Sequence, residues 1–469
     1  QGSSMHGLRV FPFRKLNYLI ESKKVQSVLL AMPAITQDQR AIIISKLQQF
    51  NISIKTTPSL SEIISGKANL TDIHNLSIED LMSRPTVQVK EDLAESCVEG
   101  KSILVTGAGG SIGSELCRQI VRRKPKTIVL FEMTESALFY IEQELLDRTK
   151  DFNTPVEIVA VLGSILDSNR VKETLLKHDV KSVFHAAAYK HVPMLESNPI
   201  EGVWNNVIGT KRVTEACSWA GVESLVVVST DKAVRPTNLM GASKRFAELI
   251  VQALTSTNKS MKTCMVRFGN VLGSSGSVVP TFQEQIRFGG PVTVTHPEMT
   301  RYFMTIPEAS QLVMQAGAMA SDAEVFVLDM GESIRIQDLA KKMIELSGFH
   351  VRDENNPNGE IEIKFTGLRP GEKMYEELSI DDCLEKTKHP KITRSIERQQ
   401  SPEQVLQTAT ALESAIENRD TEEVLRLLHL AVPEYVQSSG ISNKSPLPEV
   451  VVPQGEPESE PNTDSVVHE

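Results

Sequence analysis

From residue 101 onward, short apolar runs alternate with longer stretches of helical period. The runs are residues 102–106 (SILVT), 127–131 (TIVLF), 156–161 (VEIVAV), 181–186 (KSVFHA), 224–229 (SLVVVS) and 263–268 (TCMVRF). Runs that stay apolar, instead of alternating with polar residues, suit strands covered on both faces, as in a parallel sheet. The helical stretches between them fit right-handed crossovers, so the pattern predicts an α/β protein with a doubly wound parallel sheet.

Upstream, residues 25–31 and 52–56 read as strands and residues 36–50 as a helix. This small β-α-β unit has no glycine-rich turn, so a structural or docking role is expected of it. Residues 66–99 read as a linker. Downstream, residues 270–395 are less regular and still predict a helix at 307–320, a strand at 324–329 and a helix at 336–347. They are expected to form a smaller region over the carboxyl ends of the strands. Residues 401–430 read as two polar helices. From 441 the chain holds five prolines, six acids and one lysine, a composition expected to stay disordered. The expected division is therefore 1–7 an expression scar, 8–96 a small α/β domain with linker, 97–285 the nucleotide-binding domain, 286–400 a substrate region, 401–435 C-terminal helices and 436–469 an acidic tail.

Composition narrows the function. The 469 residues are 40% hydrophobic and 23% charged, with a net charge of −10. An acidic chain lacks the basic field that releases counterions from nucleic acid, so nucleic acid is not expected as a partner. No apolar run approaches the ~18 residues of a spanning helix. The five cysteines are dispersed without a CxxC pair, which favours a reducing, cytoplasmic compartment and argues against a zinc site. His185 and His191 have no partners at metal-ligand spacing, so no metal is expected.

Directly after the first strand comes Thr106-Gly107-Ala108-Gly109-Gly110-Ser111-Ile112-Gly113, and then a helix. In such a turn Gly107 permits the tight bend, Gly110 lets backbone approach a pyrophosphate, and Gly113 allows close packing of helix on sheet. The free N–H groups around Ser111 and Ile112 then face the phosphates. Glu132, at the end of the second strand, can accept from the adenosine ribose hydroxyls and would repel a 2′-phosphate. No Arg or Lys lies between Glu132 and Arg148, so NAD is favoured over NADP. Asp167 after the third strand, and Ala186 and Ala187 after the fourth, are expected beside the same cofactor.

The fifth strand runs into Thr230-Asp231-Lys232, and Met240-Gly241-Ala242-Ser243-Lys244 opens a helix eight residues later. Polar residues at the carboxyl end of a buried strand face the ligand crevice. The series TGxxGxxG, S-T-D-K and x-G-A-S-K resembles the extended short-chain dehydrogenase/reductases. Lys244 matches the Lys of their Tyr-x-x-x-Lys signature, whose spacing puts both side chains on one helical face. Met240 stands where the Tyr would be, and a thioether cannot transfer a proton. Further stretches occur in order: His185–Pro193 (HAAAYKHVP), Arg267–Gly273 (RFGNVLG), Arg301–Met304 (RYFM) and Leu368–Lys373 (LRPGEK). Together they resemble the large, membrane-anchored bacterial UDP-N-acetylglucosamine 4,6-dehydratases of polysaccharide biosynthesis, a branch with Met at the Tyr position.

That resemblance implies an internal redox elimination with tightly bound, recycled NAD. The sugar is oxidised at C4, water leaves across C5–C6, and the hydride returns to C6. Asp231 would be the general acid for water loss and Lys232 the base at C5, which needs a protonated Asp231 and a neutral Lys232. Thr230 would hydrogen-bond the C4 oxygen, Lys244 would hold the nicotinamide ribose, and Met240 would line the pocket. Lys190, Asn270, Arg301, Arg369 and Glu372 would bind the nucleotide sugar. The resemblance also implies N-terminal membrane helices preceding a shortened soluble piece, a place at the cytoplasmic face of the inner membrane, and a homo-oligomer. Helices at 199–220 and 240–257 are candidates for its interface. A UDP-sugar 4-epimerase and a non-catalytic NAD-binding scaffold stay open as alternatives.

Overall fold

The computed structural model describes residues 4–5, 8–57 apart from 33, 34, 36, 49 and 51, 74–75, and 91–436 apart from 151, 153, 154, 258, 259, 380–382, 398 and 399. Its centre is a sheet of nine strands: β1 (Ser102–Thr106), β2 (Thr127–Glu132), β3 (Glu157–Leu162), β4 (Ser182–His185), β5 (Ser224–Val228), β6 (Lys262–Arg267), β7 (Asp322–Leu328), β8 (Leu384–Lys386) and β9 (Ile392–Ser395). Their order across the sheet is β8-β9-β7-β6-β5-β4-β1-β2-β3. Strands β1 to β7 run parallel, while β9 lies antiparallel to β7 and β8 antiparallel to β9. The six strands expected from the apolar runs all lie in this sheet, within a residue or two of their expected ends.

Both faces of the sheet are covered, which is why the runs read as continuous. Ile103, Val105, Val226 and Val266 pack on one side against helices α1 (Ser111–Val121) and α4 (Ile306–Met319). Leu104, Val129, Val183 and Leu225 pack on the other against α2 (Gly209–Ala220). Successive side chains on a strand point to opposite faces, so β1 is buried on both sides and its polar residues, Ser102 and Thr106, stand only at its two ends. Each fully buried Val or Leu contributes roughly 1.5–3 kcal/mol. The chain leaves β1 in one direction through β2 and β3, then crosses back to β4 on its other side. The crevice at this reversal, beyond the carboxyl ends of β1 and β4, is where ligands bind in open α/β sheets.

Several boundaries differ from expectation. Strands β7, β8 and β9, expected in a separate substrate region, complete the central sheet. The smaller region is a three-stranded sheet of Val292–Val294, Ile361–Phe365 and Val351–Arg352, backed by helices Val278–Arg287 and Ile336–Leu346. Its core joins Phe282 and Ile286 to Leu339 and Ile344, so a boundary at 285/286 would cut its first helix.

The C-terminal helices α5 (Pro402–Glu417) and α6 (Thr421–Ala431) are amphipathic, not merely polar. Val405, Leu412 and Leu428 bury against Phe246, Leu249 and Ile250 of α3 (Leu239–Thr257). The apolar face of α3, suggested for a subunit interface, is thus covered by the chain's own hairpin. Glu413 of α5 also pairs with Lys211 at 2.9 Å and Arg212 at 2.6 Å on α2.

Near the N-terminus, strands Ser27–Leu30 and Ser53–Thr56 pair in parallel around helix Gln37–Gln48, and Leu346 joins their core. Most of the expected linker, and the tail beyond Val436, lie outside the described residues. All five cysteines are free, and four are buried. No helix among the described residues is long and apolar enough to cross a membrane.

Candidate active site

The turn after β1 has room only for glycine at its key points. Gly107 sits at φ +66°, and a Cβ there would lie 2.8 Å from the backbone of Ala187. A Cβ on Gly113 would lie 1.9 Å from the Gly107 carbonyl oxygen. Gly110 caps α1 with extended backbone, leaving the first N–H groups of the helix without intrahelical acceptors. Gly107, Gly110, Glu132, Ala186, Ala187 and Asn205 line a cleft with about 260 Å³ of free space. This bare-backbone cradle, a helix N-terminus on one side and a carboxylate on the other, fits a dinucleotide.

Glu132 has a second task that its position in the sequence did not suggest. Its carboxylate accepts from the backbone N–H of Gly109 at 3.0 Å, Met133 at 2.9 Å and Thr134 at 3.0 Å. It therefore fixes the glycine turn against the end of β2, and an ionised carboxylate keeps acceptor capacity for a ribose. Gly163 and Ile165 line the cleft, whereas Asp167 does not. Asp167 is instead exposed and caps helix Ser168–Lys177 by accepting from Arg170 N–H at 3.0 Å. Ser111 and Ile112 open α1, half-buried, with Ser111 facing the Ser275 backbone N–H at 3.4 Å.

The loop after β4 is held from below. Asn206 donates to the Tyr189 carbonyl at 2.9 Å and accepts from its N–H at 2.8 Å. Buried His185 lies between the hydroxyls of Thr106, at 2.7 Å, and Thr210, at 3.0 Å. Thr210 donates to the Asn206 carbonyl, so its oxygen accepts from His185 Nε2–H and Nδ1 accepts from Thr106. Burial, and then the Lys244 charge, push the His185 pKa down to about 3, which keeps the ring neutral and structural.

The second half of the crevice is ionic. The backbone turns at Thr230–Asp231–Lys232 directly after β5. Lys232 Nζ donates to Asp231 Oδ1 at 3.0 Å and to Asn270 Oδ1 at 3.1 Å. Thr230 Oγ1 donates to the same Asp231 oxygen at 3.0 Å. Asp231 is 1% exposed, and its Oδ2 has no partner among the described residues. Gly241 lets α3 approach this turn, since a Cβ there would lie 2.1 Å from the Lys232 carbonyl oxygen. Lys232, expected to be partly neutral, is instead held as a cation. Burial alone would lower its pKa, but the Asp231 and Glu376 carboxylates outweigh burial and raise it.

Lys244 is buried on α3 with no hydrogen bond or ion pair among the described residues, and burial pushes its pKa down to about 8 against the pull of Glu248. Below it, Glu248 bonds Arg267 at 2.5 Å, Arg245 at 3.2 Å and Ser229 at 2.6 Å. Burial opposes that charge, yet the two arginines hold the Glu248 pKa at about 2. Met240 is 5% exposed within the apolar cluster of α3, so it fills space.

The LRPGEK stretch behaves unevenly. Arg301 is buried and donates to the carbonyls of Thr300 at 2.7 Å, Lys373 at 2.8 Å and Met374 at 3.2 Å. It thus pins the 368–377 loop instead of standing free for a phosphate. Glu372 accepts from Arg369 N–H at 3.1 Å, while Arg369 and Lys190 are exposed. One residue that sequence reasoning missed is Glu376. Its side chain is 3% exposed and lies 3.7 Å from Lys232 Nζ. No motif marks it, because 144 residues of chain separate it from Lys232.

A strand order of 3-2-1-4-5-6-7 with a glycine turn after β1 defines the Rossmann fold of the extended short-chain dehydrogenase/reductases. The chain belongs to the polysaccharide biosynthesis protein family, whose model matches residues 103–397. It is 45% identical over 361 residues to the capsular polysaccharide biosynthesis protein CapD of Staphylococcus aureus, covering 77% of this chain and 58% of that one. The chain therefore spans little more than half of CapD. It is 34% identical over 281 residues to the UDP-glucose 4-epimerase of Rickettsia rickettsii, or 59% of this chain and 77% of that one. The solved structure of Pen from Bacillus thuringiensis aligns with 34% identity and a TM-score of 0.57, over 64% of this chain and 88% of Pen.

Proposed function

We propose that this chain is the catalytic part of a UDP-N-acetylglucosamine 4,6-dehydratase serving surface polysaccharide biosynthesis, with NAD as its cofactor. The reading is carried by the Asp231–Lys232 pair, in contact at 3.0 Å at the carboxyl end of β5. A bound nicotinamide dinucleotide supplies the redox chemistry, oxidising the sugar at C4 and reducing it at C6. Gly107, Gly110 and the start of α1 hold its pyrophosphate, Glu132 its adenosine ribose and Lys244 its nicotinamide ribose.

The chain's own groups then move protons. Transfer of one proton from Lys232 Nζ to Asp231 Oδ1, along their hydrogen bond, turns an ion pair into a neutral amine beside a carboxylic acid. Taking two charges out of water is costly, so a sugar that closes the crevice favours this neutral pair. The amine then takes the C5 proton, the acid gives its proton to the C6 oxygen, and water leaves. Met240 cannot share in this exchange, so Thr230 and Lys232 are the groups at hand for the C4 hydroxyl.

A 4-epimerase returns hydride to C4 and has no use for an acid–base pair at C5–C6. Incubation with UDP-N-acetylglucosamine and no added cofactor tests the reading by product mass. Loss of one water is the expected result. Unchanged mass across a panel of UDP- and dTDP-sugars would overturn it.

A further inference from the structure

We infer that Glu376 is a positioning residue that holds the Lys232 ammonium as a second carboxylate beside Asp231 and ties it to Arg301. The inference rests on the dehydratase reading for its catalytic meaning, though not for its geometry. Glu376 Oε1 lies 3.7 Å from Lys232 Nζ and 3.7 Å from Arg301 Nε. Its Oε2 is buried without a partner among the described residues, as is Asp231 Oδ2. Among the described residues the charged groups facing Lys232 are Asp231 on its own turn, Glu376 and Arg301, with the Asn270 amide oxygen as a neutral acceptor.

The loop that carries Glu376 is built to reach this place. Thr237 and Asn238 both donate to the Gly371 carbonyl at 3.0 Å. Lys373 donates to the Val234 carbonyl at 2.9 Å. Arg301 completes the clamp through the Lys373 and Met374 carbonyls. All of these bonds join the 371–374 segment to the residues just after Lys232 or to Arg301, and Glu376 follows two residues later. A buried carboxylate with one unsatisfied oxygen is costly to keep. A purely structural ion pair would gain by satisfying both oxygens.

A carboxylate within about 4–6 Å raises an amine's pKa by about one to three units. Removing the Glu376 charge should therefore free the Lys232 amine at a lower pH. The test is brief acetylation of the full chain with acetic anhydride at pH 8–9. Peptide mass spectrometry reads Lys232, with exposed Lys150 as internal reference. In Glu376→Gln, Lys232 should label about tenfold faster than in the wild type. Glu372→Gln should label at the wild-type rate, because Glu372 faces Arg301 instead of Lys232. Should Glu376→Gln fail to fold, Glu376→Asp shortens the reach and should give a smaller acceleration. An unchanged Lys232 rate in the folded variant overturns the inference.

With UDP-N-acetylglucosamine, Glu376→Gln should lower kcat about tenfold or more and leave KM within about threefold, with one limb of the pH profile moved down. A wild type that releases no water defeats the dehydratase reading. The labelling rates still decide the place of Glu376.

Discussion

The two halves of the crevice are made of different materials. On the β1 side the walls are largely backbone and small side chains, Gly107, Gly110, Ala186 and Ala187, and among the described residues the charged group there is Glu132, which accepts from N–H groups of the glycine turn and of its own strand end. On the β5 side the walls are Asp231, Lys232, Arg301 and Glu376, all charged and mostly buried. A surface that must bind the same large ligand in every cycle is best made rigid and neutral. A surface that must move protons needs groups whose charge can change. The first half can be judged by what it excludes, and the second by which protons it holds.

The largest break between the halves should come from Lys232→Ala. It should lower turnover by about 10²–10⁴-fold, the usual reach of a positioned acid or base. Dinucleotide binding, read by the cofactor released on denaturation, should stay near the wild-type level. Gly113→Ala should do the reverse damage. Its Cβ would meet the Gly107 carbonyl oxygen at 1.9 Å, so the turn must shift. Overpacking of that kind costs about 3 kcal/mol, visible as a lower Tm, and the purified protein should carry little cofactor. The smallest effect should come from Met240→Leu. Met240 is packing in an apolar cluster, and a swap of similar volume costs less than about 1.5 kcal/mol. Turnover should stay within about threefold. A large loss of turnover with an unchanged Tm would give Met240 a chemical role that its environment does not suggest.

The same contrast explains how much could be read from the chain. The sheet was plain because β1 and β2 are buried along their whole length, which leaves an unbroken apolar run. The glycine turn was plain because its glycines recur at fixed spacing between a strand and a helix, although the limit on Gly107 comes from distant Ala187. Asp231 and Lys232 were visible as neighbours at a strand end. Their charge state was not, because it depends on Glu376, which a distant loop delivers. The edge strand β8 is exposed at every position and carries no apolar signature. Residues 286–400 do not build one region, because β7 returns to the central sheet after the chain has begun the smaller one. Asp167 was expected at the cofactor because it follows a strand; its carboxylate is taken by the helix it caps.

The most direct test of the ionic half is turnover of UDP-N-acetylglucosamine in D₂O, followed promptly by mass spectrometry and proton NMR of the product. Elimination across C5–C6 removes the C5 proton to an exchangeable amine, and solvent then refills that position. A dehydratase of this design yields a product lighter by one water and carrying one deuterium at C5. A product of unchanged composition with protium at C5 would contradict it, and would leave the Asp231–Lys232 pair without the chemistry assigned to it.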